Sequence, residues 1–105
     1  MGFHKARRDL LAALATGHFL HEPRDVLSEK NLLAVGDLAP ADVARVISRA
    51  SGRDYATSQH HWDRSVTVHL FTPVVDRARW YVKVYFLEDD ARSAVFISVH
   101  ATGSE

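Results

Sequence analysis

Three consecutive pieces of sequence decide the fold: Trp80-Tyr81-Val82-Lys83-Val84-Tyr85-Phe86-Leu87, the charged run Glu88 to Arg92, and Ala94-Val95-Phe96-Ile97-Ser98-Val99-His100. In the first, Trp80, Val82, Val84 and Phe86 alternate with Tyr81, Lys83 and Tyr85, the period-two pattern of a strand with one buried face. The charged run predicts a hairpin turn. The last piece predicts a partner strand in which Val95, Ile97 and Val99 face the core while Phe96, Ser98 and His100 face away.

Working outward, Ser65 to Phe71 alternates as well, with Val66, Val68 and Leu70 assigned to the core and Ser65, Thr67, His69 and Phe71 to the other side. Pro73 to Arg77 supplies a turn, and Tyr55 to Trp62 reads as a first strand. Before Gly52 the period changes to that of helices. Phe3, Leu10, Leu11 and Leu14 share a face of a helix over residues 3–16 that Gly17 ends. A second helix is expected over Asp25 to Val35, carrying Val26, Leu27, Leu32 and Leu33 and closed by Gly36. In the third, Pro40 takes the first helical position, Val43, Val46, Ile47 and Ala50 follow at core spacing, and Gly52 stands as a left-handed cap. Ala101 to Glu105 reads as a tail. Helices followed by a meander predict one α+β domain over residues 1–105, its N-terminal helices packed on one face of a small C-terminal antiparallel sheet.

Composition narrows the function classes. Thirteen Lys and Arg balance thirteen Asp and Glu, so overall charge argues for neither nucleic acid nor membrane as a partner. The chain has no cysteine, which excludes disulfides, thiolate nucleophiles and cysteine-ligated zinc. No stretch approaches the roughly 20 apolar residues of a membrane span, and the apolar run Leu10 to Leu14 is too short for a signal sequence. A cytoplasmic protein without membrane contact is the expectation. Seven histidines are the unusual feature. His4, His18 and His21 lack ligand spacing, and the adjacent His60 and His61 point to opposite faces of a strand, so no metal or other cofactor is expected.

The outward face expected from alternation holds Thr67, His69 and Phe71, then Tyr81, Lys83 and Tyr85, then Phe96, Ser98 and His100. A one-sided sheet needs polar residues on its wet face, and Tyr, Lys, Thr and Ser are ordinary choices for it. The same inventory nonetheless suits cleavage of RNA by its own 2′-hydroxyl. That reaction needs a base, an acid and a cation for the phosphorane, and histidine supplies either proton-transfer role near neutral pH.

The segment from Asp54 to His100 resembles the MqsR family of ribonuclease toxins, whose wider fold is that of the RelE-like ribonucleases. The resemblance is carried by Asp54-Tyr55, Trp62, Leu70-Phe71-Thr72-Pro73, Trp80-Tyr81-Val82-Lys83-Val84 and Val95-Phe96-Ile97-Ser98-Val99-His100. It implies a metal-independent endoribonuclease, an mRNA interferase and the toxin of a type II toxin–antitoxin system, with RNA as substrate and a cognate antitoxin protein as partner. It implies catalytic roles for Tyr81, Lys83 and His100, with His69 as a further candidate. Substrate contacts are expected from His60 or His61, Thr67, Tyr85 and Ser98. The sequence departs from the family pattern in placing His100 where a lysine is expected, Thr57 near a second such lysine, and His69 near a glutamine. The alternative is a non-catalytic protein-binding module, immunity or regulatory, on the same scaffold.

Overall fold

The computed structural model describes residues 2–22, 31–87 and 93–102. Helix α1 spans Phe3–Thr16 and buries Ala6, Leu10, Ala13 and Leu14 at the spacing of one helical face. Gly17 ends it at φ +80°, a left-handed conformation that costs glycine nothing. Helix α2 spans Pro40–Ser48 and buries Val43, Val46 and Ile47. Pro40 occupies its first turn, where no amide hydrogen is needed, and the Asp42 carboxylate accepts the free Ala39 N–H at 2.9 Å.

Two helical expectations are corrected. Gly52 is not the cap of α2. The helix ends at Ser48, and Gly52–Asp54 forms a 3-10 turn in which the Ser51 hydroxyl accepts the Arg53 N–H and Asp54 accepts the Ser51 N–H. The stretch 31–38 forms a bridge and turns rather than the end of a helix, while Asp25 to Lys30 lies outside the described residues. Asn31 pairs with Val99 as an isolated parallel bridge, its side chain accepts the Ala34 N–H, and Gly36 turns the chain at φ +86°. These partners hold Leu33 in the core without a regular helix.

The strands are β1 (Phe19–His21), β2 (Tyr55–Gln59), β3 (Thr67–Phe71), β4 (Val74–Val75), β5 (Ala78–Phe86) and β6 (Ala94–Thr102). They form a six-stranded sheet in the order β1-β6-β5-β3-β2, with β4 also on β5. Among the described strands, every strand pairing is antiparallel except β1 on β6, so the sheet is mixed rather than wholly antiparallel. In this exception Phe19 lies opposite Ala94 and His21 opposite Phe96. Strand β6 runs beyond His100 to Thr102, since Arg79 at the start of β5 offers it a partner. The Glu88–Arg92 turn lies outside the described residues. Between β4 and β5, Asp76 and Arg77 both take positive φ, at 53° and 69°, as a tight two-residue hairpin requires.

The helices cover one face of the sheet. Leu10, Leu14, Val46 and Ile47 meet Phe71, Val82, Val84, Phe96 and Val99 in one buried cluster. The register explains this set. Phe71 pairs with Val82, Val84 with Phe96, and Val82 with Val99, so each pair shares the helix side. A β-bulge lies between the pairs Lys83–Ser98 and Val84–Phe96, leaving Ile97 as the extra residue on β6. It reverses the alternation of β6, so Phe96 and Val99, three apart, both face the helices. The expectation that Phe96 points away is therefore corrected, and so is the inward assignment of Val95 and Ile97.

Candidate functional site

The face opposite the helices is built on β5, which places Tyr81, Lys83 and Tyr85 on it in succession. Across from Tyr81 stands His100, with ring centroids 5.3 Å apart and planes 17° apart, a stacked cross-strand pair. Ser98 is opposite the exposed Lys83. Four of the residues expected to share a face, Tyr81, Lys83, Ser98 and His100, thus do so, and Tyr85 joins them.

His69 and Thr67 do not. His69 pairs with Val84, placing it on the helix side, where it is 4% exposed. Its Nδ1 lies 2.7 Å from the Tyr55 hydroxyl, and its ring meets Phe86 edge-on. Burial holds the His69 pKa below the usual imidazole value and pushes that of Tyr55 up, so both groups favour their neutral forms in this hydrogen bond. His69 is a hydrogen-bonded core histidine, removed from Tyr81 and His100 by the thickness of the sheet. Thr67 shares its side of β3 and leaves the expected substrate contacts with it. Val68 and Leu70 instead occupy the open face, Leu70 opposite Lys83.

Adjoining Lys83 is a groove of about 450 Å³ lined by Glu22, Ser58, Gln59, His60, His61, Trp62, Val68, Lys83 and Ile97. Val68 and Ile97 are the buried apolar members of this lining. The chain leaving β2 forms one wall of the groove, anchored by His60. That ring is buried, packs edge-on against Tyr85 at 5.2 Å, and reaches the Glu22 carboxylate through Nε2 at 2.6 Å. Its Nδ1 accepts the backbone N–H groups of Trp62 and Asp63 at 3.1 and 3.3 Å. An acceptor at Nδ1 requires the proton on Nε2, so His60 donates to Glu22. Tyr85 donates to the same carboxylate. Burial, with the Glu22 charge and this hydrogen bond, raises the Tyr85 pKa and keeps its phenol protonated. His60 is thus an anchor for the groove wall, whereas His61 is exposed on the groove.

No local pattern in the chain marks Glu22, Ser58, Gln59 or Trp62 as groove residues. Glu22 is 38 positions from its partner His60, and only the fold joins them. Among the described residues no group of three or more His, Asp or Glu side chains is placed to hold a metal ion, and no helix is long and apolar enough to cross a membrane.

Comparison with known protein families, with curated proteins and with solved structures finds no match in any of the three.

Proposed function

We propose that this protein is a metal-independent endoribonuclease of the RelE-like kind, the toxin of a toxin–antitoxin pair, working on the open sheet face at Tyr81, Lys83 and His100. The observation that carries this reading is the Tyr81–His100 stack, one strand step from an exposed lysine. The resemblance from Asp54 to His100 supplies the reaction class. The helices packed over one face of an antiparallel β2-β3-β5-β6 meander are in keeping with it.

In this reading His100 takes the proton from the 2′-hydroxyl, which attacks the adjacent phosphorus. Lys83 neutralises the phosphorane, and the Tyr81 phenol protonates the departing 5′-oxygen. The products are a 2′,3′-cyclic phosphate and a 5′-hydroxyl. Because the base is a histidine and the acid a phenol, cleavage should rise through about pH 6–7 and not fall again by pH 8. A cognate antitoxin protein holds the enzyme inactive, and exposed Leu20 and Trp62 give such a partner apolar anchors. Balanced charge favours the second reading, a non-catalytic protein-binding module, since ribonucleases commonly carry excess positive charge.

Induced expression of the wild type beside His100→Ala and Tyr81→Ala decides between them, with end-group analysis of cellular RNA and circular dichroism of each variant. Growth arrest with cyclic-phosphate ends, lost in both folded variants, supports the ribonuclease. Harmless wild-type expression without RNA cleavage refutes it.

A further inference from the structure

Trp62 has an unusual setting. Its side chain is 75% exposed although it belongs to a wall fixed by many hydrogen bonds. The Trp62 N–H is bound to His60, and His60 is bound to Glu22. Asp63 accepts both the backbone N–H and the hydroxyl of Ser65, and the His60 N–H is bound to the Val66 carbonyl. A mobile segment exposes an indole by default. A segment pinned at so many points holds it in water by construction, which puts a large flat apolar surface on offer.

The rest of the groove indicates what fits there. Val68 and Ile97 contribute apolar surface, and Ser58 and Gln59 contribute hydrogen-bonding groups. Glu22 brings a negative charge, but His60 and Tyr85 engage it. Lys83 belongs both to the groove and to the Tyr81–His100 face. A ligand seated here therefore presents a flat ring to Trp62, polar edges to Ser58 and Gln59, and an anion to Lys83. A nucleotide of single-stranded nucleic acid has all three. Duplex bases are already stacked and cannot reach the indole.

We propose that the groove is a base-binding subsite in which one nucleobase of a single-stranded RNA stacks on Trp62 while its phosphate meets Lys83. The choice of RNA rests on the ribonuclease reading, but the stacking geometry does not. A base held here brings the phosphate that Lys83 meets beside Tyr81 and His100, so the subsite selects which linkage is presented for cleavage.

The test uses the full chain carrying Trp80→Phe, which leaves Trp62 as its one tryptophan. The probe is a single-stranded 2′-O-methyl oligoribonucleotide of about five nucleotides, a length within one protein's single-strand footprint, which 2′-hydroxyl attack cannot cleave. Titration should quench Trp62 fluorescence. Trp62→Ala should weaken binding of the labelled probe about tenfold, the weight of one base–aromatic stack, and Trp62→Phe should restore most of it. Absence of quenching, equal affinity in Trp62→Ala, or equal quenching by duplex RNA overturns the proposal. Cleavage is scored separately on unmodified RNA. Stacking on Trp62 without cleavage sinks the ribonuclease reading and leaves the subsite standing. Cleavage with unchanged KM in Trp62→Ala and no quenching does the reverse.

Discussion

Replacing Glu22 with alanine should unlock the groove wall, and the structure sets the size of the effect. Glu22 receives the His60 Nε2–H at 2.6 Å, with side chains 12% and 9% exposed, and also receives the Tyr85 hydroxyl. A charge-assisted hydrogen bond to a shielded group contributes about 1.5–3 kcal/mol. Water entering from the groove can satisfy part of what is lost, so the net cost should lie near the lower end, about 2 kcal/mol. For a domain of this size that corresponds to a fall in Tm of roughly 10 °C. Glu22→Gln keeps an acceptor without the charge and should lose about half as much. His60→Ala removes the same bond together with the acceptor for the Trp62 and Asp63 N–H groups. The double variant Glu22→Ala/His60→Ala should therefore cost less than the sum of the singles, by about 1–2 kcal/mol in a urea-denaturation cycle. A cost below about 0.5 kcal/mol for Glu22→Ala, or strict additivity with His60→Ala, would refute the claim that this pair pins the wall.

Burial holds the pKa values of His69 and His21 below the ordinary imidazole value, so the unfolded chain binds protons more readily than the fold. Stability should be complete above pH about 6.5 and decline as pH falls below it. Urea midpoints at descending pH check this, and a slope unchanged by His69→Gln would count against it. Phe96→Ala should cost about 3–5 kcal/mol, as a large side chain removed from a packed core, whereas His100→Ala should cost less than about 1 kcal/mol, as for a change at a partly exposed position. Equal costs in denaturant titrations would contradict the bulge. Arg77 sits at φ 69° in the β4–β5 turn, so Arg77→Gly should stabilise by about 0.5 kcal/mol after its own entropic cost. A lowered Tm would show that the strain is absent.

The helices were legible because their patterns point one way. In α1 and α2 the buried positions Leu10 and Leu14, and Val43, Val46 and Ile47, return every three or four residues among polar neighbours. The strands were legible as strands but not as faces. Period two identifies two sides without saying which is inside when both carry apolar residues. On β3 the two aliphatic residues, Val68 and Leu70, lie on the open face, while the single ring of Phe71 takes the helix side with His69 beside it. The polar His69 is tolerated there because the Tyr55 hydroxyl satisfies it, a pairing between residues 14 apart that only the sheet creates.

On β6 the ambiguity was visible in the sequence itself. Ala94-Val95-Phe96-Ile97 is apolar without a break, which signals a strand covered on both faces rather than one with a wet side. Both coverings exist: helices over Ala94 and Phe96, and the groove over Ile97. A strict alternation through this run cannot place both Phe96 and Val99 in the core, since they are an odd number of residues apart. One extra residue resolves the conflict, and the bulge at Ile97 supplies it. The same step leaves His100 opposite Tyr81 and Ser98 opposite Lys83. The candidate site thus follows from a backbone irregularity that lets β6 fill the core with Phe96 and still deliver His100 to the open face.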